Sequence, residues 1–445
     1  MNSKYYKENI SFREVILFVL PTYFTSLFTT MYTIVDGVCV AAWVDTDALA
    51  SINIVYPLVN ILTGIGMMFG IGGSALAAVS LGSGNSKKAG EQCTISALYA
   101  FFLSGVFAGV CIWKLETWLQ FLGATPSTLT SCEIYAKIWL FGAPIAVGKD
   151  LIVAYIRADG APKKSFFISA AGGITNIILD IIFVGLFKWG IFGAGLATII
   201  GLAVSMILGI LYFTKGKNQI SFSISGLSLK EGLICAVNGS SELVDQVAIA
   251  VTTVVFNRTA LSFAGKDGVA AVSIIMYLQF IFLGIYYGYS SGILPLLSFE
   301  LGRKNYTACR CLEQYSYRLV SLLPIVLYCA SYFLAPLAVG VFANRQTEVF
   351  TMAVRGMRIY GLGYLFAGIN IFCAIRLIAY KWGKWAAVIT SLRSFSLLLL
   401  FLSILPATIL GMDGLWLAFP AAEAGTLSVS ALISRYSTKK IHTQK

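Results

Sequence analysis

Histidine is almost missing from this chain of 445 residues: His442, close to the C-terminus, is the single one. Catalytic triads that use histidine, HExxH zinc sites and haem ligation by histidine are therefore excluded. The nine cysteines are scattered through apolar runs and none forms a CxxC pair, so the sequence indicates neither a disulfide scaffold nor a redox motif. We expect a protein that is not an enzyme and that holds no cofactor.

Charged residues are also scarce, at 12% of the chain against 58% hydrophobic residues, and the mean hydropathy is +0.82. Such values are typical of a polytopic membrane protein and lie outside the range of soluble globular proteins. A helix needs roughly 20 apolar residues to cross a bilayer, and twelve such runs can be drawn, which predicts an all-α fold with twelve transmembrane helices. The runs start near residues 14, 49, 92, 134, 165, 191, 231, 268, 312, 353, 385 and 414.

The basic residues fall into two sets according to the connection between spans in which they lie. Because lysine and arginine accumulate in cytoplasmic connections, we expect both termini in the cytoplasm and a multi-pass protein of the cell (plasma) membrane. The formal net charge of +12 is then a topology signal, and we expect no nucleic acid partner. The richer set comprises Lys4, Lys7, Arg13, Lys87, Lys88, Arg157, Lys163, Lys164, Lys215, Lys217, Lys230, Arg303, Lys304, Arg310, Arg376, Lys381, Lys384, Arg435, Lys439, Lys440 and Lys445, and the poorer set holds mainly Lys114, Lys188, Lys266 and Arg345.

The two halves of the sequence repeat. Residues 62–85 align with residues 282–305 at a displacement of 220, and the block GIFGAGLAT at Gly190 aligns with GMDGLWLAF at Gly411 at a displacement of 221. Two distant blocks with nearly one displacement indicate an internal repeat, and six spans per half make it a parallel one, with substrate sites expected between the halves. The matched residues are Gly64 with Gly284, Gly72 with Gly292, Gly82 with Gly302 and Asn85 with Asn305.

The repeat and the polar segment between its copies predict the domain organisation. We expect an N-terminal six-helix bundle over 1–214, a cytoplasmic linker over 215–230, a C-terminal six-helix bundle over 231–437 and a polar cytoplasmic tail over 438–445.

Three polar residues lie at one predicted depth in the membrane. Asp36 precedes Asp45 by nine residues, Asp180 precedes Lys188 by eight, and Thr198 follows Lys188 by ten. At about 1.5 Å per residue, all three are roughly 12 to 15 Å below the outer ends of their helices. Charged groups at that depth cost about 2.5 to 3.5 kcal/mol each, so a structural or functional reason is required.

Asn176 completes this group, because it precedes Asp180 by four residues and shares its helix face. Two carboxylates, an amide oxygen and a hydroxyl suit a hard cation such as Na⁺, while two desolvated carboxylates would also bind H⁺. The alternative is a purely structural contact between helices. The repeat favours function, because the equivalent positions in the second half are apolar or displaced: Leu397 for Asn176, Phe401 for Asp180, Phe419 for Thr198, and Phe256 or Asn257 for Asp36.

Other candidate site residues are supported by fewer observations. Glu242 and Asp245, with Asn257 further along the seventh span, are candidates for a second acidic site facing the space between the halves. The equally weighted alternative is that one of the acids pairs with Arg258 or a backbone group. Aromatic side chains could line a pocket for flat cations through their ring faces, although packing is their commoner role. The aromatic candidates are Tyr277, Tyr286 and Tyr287, and Pro21 is predicted to kink the first helix.

Four motifs resemble one family. GGSALAAVSLGSGN, IRADGAPKKS followed by ITNIILDIIF, GIFGAGLATIIG, and GMDGLWLAFPAAE are similar to segments of the multidrug and toxic compound extrusion (MATE) transporters, and the resemblance covers essentially the whole chain. It implies two six-helix bundles around a V-shaped cleft that alternates its opening. It also implies export of cationic amphipathic drugs in exchange for Na⁺ or H⁺, the coupling ion.

The resemblance also implies residue roles. The family's cation site in the N-terminal bundle falls on Asp36, Asn176, Asp180 and Thr198, and its associated proline and tyrosine fall on Pro21 and Tyr135. The acidic site that the NorM-like branch carries in the C-terminal bundle is not matched, because Glu242 and Asp245 come too early in the seventh helix. A DinF-like or related bacterial branch is therefore indicated.

The predicted function is a secondary active multidrug efflux antiporter. The alternative within transport is a lipid or polysaccharide-precursor flippase, which would be expected to line its cleft with basic residues for phosphates. The flippase is disfavoured because intramembrane arginine and lysine are few and the best polar cluster is acidic, and a membrane-embedded enzyme is disfavoured because histidine is almost missing. A non-transporting sensor or scaffold is a further alternative. We expect cationic small molecules and membrane lipid as partners, and a monomer.

Overall fold

The computed structural model describes residues 11–44, 46–216, 218–223 and 228–443. Asp45, which served above as an outer end, lies outside these residues, as do Lys4, Lys7, Lys217 and Lys445. The described residues form α-helices with short π-helical and 3-10 turns, and they contain no strand.

The first half of the described chain contains eight helices. The predicted fourth span is broken, because α5 and α6 meet at Gly142 with a bend of 50°. A π-helical turn, Ile181–Leu186, continues α7. The helices are α1 (Phe12–Trp43), α2 (Thr46–Gly82), α3 (Ser86–Trp113), α4 (Leu115–Phe121), α5 (Leu129–Phe141), α6 (Ala143–Ala158), α7 (Pro162–Asp180) and α8 (Gly190–Lys215).

The second half of the described chain also contains eight. A 3-10 turn, Gly361–Gly363, joins the fourth and fifth of them, and a π-helical turn, Leu392–Ser396, joins the sixth and seventh. The helices are α9 (Leu229–Gly302), α10 (Tyr306–Phe333), α11 (Ala335–Val339), α12 (Glu348–Tyr360), α13 (Tyr364–Ala379), α14 (Gly383–Ser391), α15 (Leu397–Ile404) and α16 (Gly411–Thr443).

Helix α9 is two membrane spans joined by a sharp break. Its 74 residues would measure about 110 Å if straight, several times the thickness of a bilayer core. The break lies at Ala264 (φ −138°, ψ 18°) and Gly265 (φ 58°, ψ −146°), and the positive φ favours glycine at the second position. With α9 divided and α5–α6 taken as one span, the described helices make twelve spans, and each starts within six residues of its predicted position.

The spans form two six-helix bundles, which we call the N-lobe (α1–α8) and the C-lobe (α9–α16). The lobes make close backbone contact where α2 and α9 end and α3 and α10 begin. We call this the basic end, because Lys87, Lys88, Arg303 and Lys304 lie there.

The repeat is visible in the contact at the basic end. A Cβ placed on Gly82 would lie 2.0 Å from the carbonyl oxygen of Phe299, and a Cβ placed on Gly302 would lie 2.0 Å from that of Val79. Both residues of the first pair are displaced by 220 from those of the second. The two lobes therefore meet backbone to backbone about a local pseudo-twofold axis, and only glycine permits this approach.

The predicted domain bounds stay a prediction. Helix α8 ends at Lys215 and α9 begins at Leu229, but Lys217 and residues 224–227 of the connection lie outside the described residues. Helix α16 continues into the predicted tail as far as Thr443.

Candidate functional site

The two N-lobe carboxylates that the sequence placed at one depth lie side by side in the structure. Asp36 projects from α1 towards Asp180, the last residue of α7, and Asn176 adjoins Asp180 one turn earlier on the same helix. Asp180 is 0% exposed and Asn176 is 3% exposed. The π-helical turn begins directly after Asp180, and such turns often occur at functional sites.

Four oxygen atoms in this cluster lack a hydrogen-bond partner within the described part of the chain. They are Asp36 Oδ1, Asn176 Oδ1 and both carboxylate oxygens of Asp180, and all four are buried. Buried polar atoms are almost always hydrogen-bonded, and an unsatisfied carboxylate oxygen is especially costly. The set therefore has the oxygen ligands and the unsatisfied acceptor atoms that a site for a small cation requires.

Thr198 joins the cluster from α8. Its hydroxyl accepts a hydrogen bond from Asn176 Nδ2 at 3.5 Å and donates one to the Ala194 carbonyl at 3.0 Å. The two helices come close because a Cβ on Gly201 would lie 2.7 Å from the carbonyl oxygen of Gly172. The structure thus brings together Asp36, Asn176, Asp180 and Thr198.

A narrow cavity adjoins Asn176 and Thr198 and lies between α1, α6, α7 and α8. Its lining includes Thr29, Tyr32, Asn176, Thr198 and, on α6, Lys149. Lys149 Nζ lies 2.9 Å from Asp150 Oδ1, so the lysine is paired with its sequence neighbour rather than with the cation cluster. Sequence reasoning missed this ion pair, although a Lys-Asp dipeptide inside an apolar run is a visible signal.

Tyr135 and Pro21 hold more distant positions. Tyr135, on α5, is buried against Gly195 of α8 and lies close enough to Asp36 and Asp180 to interact with their charges. Pro21 lies fifteen residues before Asp36 on α1, and its carbonyl accepts a hydrogen bond from the Thr25 hydroxyl at 2.9 Å. Helix α1 runs from Phe12 to Trp43 with Pro21 inside it, and the kink stays a prediction.

In the C-lobe, the structure corrects the predicted partner of Asp245. Arg258 is exposed, and the arginine beside Asp245 is Arg393, on the π-helical turn between α14 and α15. Arg393 Nη1 lies 3.5 Å from Asp245 Oδ1, and Nη2 lies 2.8 Å from Glu423 Oε1 of α16. Asp245 therefore belongs to a buried ionic network and is not a free acid.

Further donors complete this network, which we call the Arg393 network. The Tyr287 hydroxyl donates to Asp245 Oδ2 at 2.5 Å and accepts from Arg393 Nη1 at 3.0 Å, and the Ser394 hydroxyl donates to Asp245 Oδ1 at 2.5 Å. Its members are Asp245, Tyr287, Asn370, Arg393, Ser394, Glu423 and Ser430.

The Asn370 side chain holds the second oxygen of Glu423. Its Nδ2 donates to Glu423 Oε2 at 2.7 Å, and its Oδ1 accepts from the Ser430 hydroxyl at 2.8 Å. All four carboxylate oxygens of Asp245 and Glu423 are thus hydrogen-bonded. Sequence reasoning found no partner for Arg393 or Glu423, because only the rotation of the helices decides which buried charges meet.

Glu242 and Asn257 lie apart from this network. Glu242 is 8% exposed, and its carboxylate interacts electrostatically with Asp245, with Arg393 and with Arg157 in the last turn of α6. Arg157 was counted above among the cytoplasmic residues, and its position in the last turn of α6, next to the connection that carries Lys163 and Lys164, leaves that prediction open. Asn257 follows Asp245 by twelve residues, and its buried Oδ1 has no hydrogen-bond partner in the described part of the chain.

The aromatic candidates divide three ways. The prediction for Tyr286 was wrong: it is 0% exposed inside the C-lobe core and donates to the Tyr364 carbonyl at 2.9 Å, so it lines no cleft. Tyr287 belongs to the Arg393 network. Tyr277 stacks on Phe342 and approaches α1, where a Cβ on Gly37 would lie 4.0 Å from its hydroxyl.

A sequence comparison settles the family. The profile of the MatE family matches two segments, 21–182 and 243–404, which together span most of the chain and coincide with the two halves of the repeat. The chain belongs to the MatE family. Members of this family are transporters and not enzymes, so the predictions of a membrane transporter and of a non-enzyme are confirmed.

Two curated members of the MatE family are similar over most of their length. The multidrug export protein MepA of Staphylococcus saprophyticus is 24% identical over 382 residues, which are 82% of this chain and 82% of that protein. MepA of Staphylococcus aureus strain MRSA252 is 23% identical over 376 residues, with the same coverage.

Solved structures of MATE transporters share the fold. A crystal structure of MATE in the straight conformation superposes with a TM-score of 0.92 at 16% identity and covers 100% of both chains. The similarity confirms an all-α architecture of twelve transmembrane helices in two pseudo-symmetric bundles around a cleft, and the protein is a multi-pass membrane transporter.

Proposed function

We propose that this MatE transporter is a multidrug efflux antiporter, which exports cationic amphipathic small molecules in exchange for Na⁺ or H⁺ bound at Asp36, Asn176, Asp180 and Thr198. The observation that carries the ion site is a set of four buried oxygens on Asp36, Asn176 and Asp180 that have no hydrogen-bond partner among the described residues. Carboxylate, amide and hydroxyl oxygens are the ligands that hard cations prefer, and two adjoining buried carboxylates also favour a shared proton.

Helix α1 links this ion site to the other lobe. Asp36 lies on α1, and the same helix packs along the second span of α9, where Cβ atoms on Gly288 and Gly292 would lie 2.9 Å from Tyr23 and 2.8 Å from Val19. A cation that binds better to one arrangement of α1 than to another would therefore bias the packing of the two lobes. Such differential binding is the requirement for coupling an ion to a conformational change.

The charges of the interior support a cationic substrate. Lys149 is paired with Asp150, and Arg393 is shared between Asp245 and Glu423, so these buried basic groups are already neutralised. Glu242 retains a carboxylate near the boundary between the lobes. The two MepA relatives are named as multidrug export proteins, which supports drugs as the substrate class. These pairings disfavour the flippase alternative, whose anionic substrates would need free basic groups.

The test is transport by purified chain in liposomes. We expect the parent to accumulate a fluorescent organic cation under an imposed Na⁺ gradient or an imposed pH gradient. Asp36→Asn and Asp180→Asn should abolish the dependence on that gradient. Asp413→Asn is the matched control, because Asp413 is a half-buried carboxylate that is paired with the exposed Arg355, away from the proposed site. Normal gradient-driven flux in both N-lobe variants would contradict the assignment.

We also propose that the basic end faces the cytoplasm of a monomeric plasma-membrane protein. Support comes from the lysines and arginines at this end, which follow the positive-inside pattern. Labelling of a cysteine introduced at exposed Ser83 by a membrane-impermeant maleimide should occur in inverted membrane vesicles and not in intact cells. Labelling in intact cells would reverse the orientation.

A further inference from the structure

The Arg393 network is built on the same three repeat-related helices as the N-lobe ion site. The N-lobe site uses α1, α7 and α8, and the network uses their repeat equivalents, namely the first span of α9, the turn after α14, and α16. In each lobe two carboxylates on two of these three helices converge: Asp36 and Asp180 in the N-lobe, and Asp245 and Glu423 in the C-lobe. The lobes differ in what neutralises them.

Among the described residues, the N-lobe carboxylates have no basic partner, whereas the C-lobe carboxylates enclose one. Arg393 is 4% exposed and contacts both Asp245 and Glu423, and Glu423 itself is 0% exposed. Its guanidinium is a permanent cation with donors arranged for two carboxylates. A positive charge therefore already occupies the place where the C-lobe acids converge.

The position of Arg393 in the chain also sets it apart. It lies within a π-helical turn, Leu392–Ser396, in the span that the repeat relates to α7. Helix α7 carries its own π-helical turn directly after Asp180. A π-helical turn inserts a residue into a helix and is retained mostly at functional sites, since it weakens the helix locally. Both lobes thus interrupt the same helix close to the charged cluster.

The positions repeat-related to the N-lobe ligands are closed to a cation. Phe401 replaces Asp180, and Phe419 replaces Thr198 and stacks on Tyr360 with ring centroids 4.4 Å apart. Arg393 lies eight residues before Phe401, about two helical turns nearer the basic end. Within the described residues, the C-lobe therefore offers the Asp245 and Glu423 pair as its converging carboxylates, and these are filled by Arg393.

We infer that Arg393 is a tethered cation that takes, in the C-lobe, the role a coupling ion takes in the N-lobe, at a level about two helical turns nearer the basic end. Each transport cycle then binds its ion in the N-lobe alone. This inference rests on the proposed ion site for its N-lobe half only. Its consequence is that removal of the guanidinium charge turns the C-lobe into a second cation site. Two buried carboxylates without a positive counter-charge must then bind Na⁺ or protons.

The experiment uses full-length chain in lipid nanodiscs, with Asp36→Asn and Asp180→Asn introduced together as the background. Thermal unfolding is followed across about a hundredfold range of Na⁺ concentration, and separately of H⁺ concentration, because a ligand bound by the folded state alone raises the midpoint with its logarithm. Added to this background are Arg393→Met, Arg393→Lys, and a triple variant with Arg393→Met, Asp245→Asn and Glu423→Gln.

We expect a new dependence of the midpoint on Na⁺ or H⁺ with Arg393→Met, and none in the background, with Arg393→Lys or with the triple variant. Lysine keeps the charge, and the triple variant removes charge and counter-charge together. The inference is overturned if neither Na⁺ nor H⁺ raises the unfolding midpoint of the chain with Arg393→Met. It is also overturned if that chain fails to fold at every Na⁺ and H⁺ concentration. A cation dependence that persists in the background or appears with Arg393→Lys overturns it as well.

The parent chain separates this outcome from that of the ion site. If the parent midpoint is as insensitive to cations as that of the background, the proposed N-lobe site fails. The comparison between Arg393→Met and Arg393→Lys still reports on the C-lobe alone.

Discussion

At the scale of single residues, the two acidic clusters differ in how their carboxylate oxygens are satisfied. Both oxygens of Asp180 lack hydrogen-bond partners in the described structure, whereas the oxygens of Glu423 accept from Arg393 and Asn370. The first arrangement stores unfavourable desolvation that a cation would relieve, and the second has already relieved it internally. Acidic side chains thus form the proposed ion site in one lobe and take part in internal neutralisation in the other.

Thr198 should contribute less to ion binding than the carboxylates do. Its hydroxyl donates its proton to the Ala194 carbonyl, so only a lone pair remains for a cation. We expect Thr198→Ala to weaken the apparent affinity for the coupling ion by about tenfold, or about 1.4 kcal/mol, and Thr198→Ser to restore it. Flux against ion concentration in liposomes measures the shift. Equal loss with alanine and serine would mean that the methyl group, not the hydroxyl, is what matters.

The depth of a polar residue in the membrane could be predicted from the sequence, but the neighbouring helix that its side chain contacts could not. The rise per residue placed Asp36, Asp180 and Thr198 at one level, and the structure brings their cluster together. Partners such as Arg393 and Glu423 depend on how each helix is rotated, which a single sequence does not encode locally. The prediction that Tyr286 lines a cleft was wrong for the same reason. Tyr286 is next to Tyr287 in sequence but about 100° around the helix from it, and its side chain points into the core.

At the scale of helices, glycine decides how closely the lobes approach. Twelve spans and the repeat could be predicted because bilayer thickness fixes span length and because both copies retain matched glycines. The break in α9 was implied by the two predicted spans that start near residues 231 and 268. The π-helical turns could not be predicted, since their residues also fit a regular apolar helix. Packing, rather than composition, makes these interruptions favourable.

Gly82→Ala should separate the lobes at the basic end. The added methyl group would lie 2.0 Å from the Phe299 carbonyl oxygen, and the backbone of neither helix can yield without moving a lobe. We expect strongly reduced transport and faster hydrogen exchange over residues 79–83 and 299–303. Gly105→Ala is the control, because a Cβ there meets nothing within 4 Å and alanine favours the helix. Unchanged exchange in Gly82→Ala would show that the contact is dispensable.

Asp159 should fix the described part of the connection between the lobes to the N-lobe. This buried carboxylate accepts hydrogen bonds from the Tyr212 hydroxyl at 2.5 Å and from the backbone N–H groups of Gln219 and Ile220, each at 2.8 Å. Asp159→Ala removes all three and leaves two backbone donors unsatisfied, so we expect a loss of about 2 to 4 kcal/mol in stability.

Limited trypsinolysis measures the same change locally, because Lys215 lies at the end of α8 beside this segment. Cleavage after Lys215 should accelerate in Asp159→Ala and much less in Tyr212→Phe, which loses a single hydrogen bond. If both variants are cleaved at the parental rate, the connection is held by other contacts, such as that of the Ser223 N–H with the Thr94 hydroxyl at 3.1 Å.

At the scale of the whole molecule, the described contacts between the lobes at the basic end predict that this end must open during transport. The Tyr99 hydroxyl of the N-lobe donates to the Leu229 carbonyl of the C-lobe at 3.3 Å, and Lys88 Nζ lies 3.8 Å from Glu231 Oε1. Both side chains of the ion pair are accessible, with 49% and 34% exposure. Exposed pairs of this kind add at most about 1 kcal/mol, so the pair reports on the contact without holding it together.

A carbodiimide should therefore join the lobes by forming an amide between Lys88 and Glu231. The reagent adds to the carboxylate of Glu231 to form an O-acylisourea. The amine of Lys88 then attacks the carboxyl carbon and expels the reagent as a urea, so the amide adds no spacer between the two side chains. We expect the cross-linked chain to stop transporting, because the basic end can no longer separate, while Glu231→Gln treated in the same way keeps its flux. Mass spectrometry of the tryptic digest quantifies the cross-link. If the flux of the parent chain does not fall as its cross-linked fraction rises, transport does not require the lobes to part at this end. Alternating access would then have to operate within a single lobe.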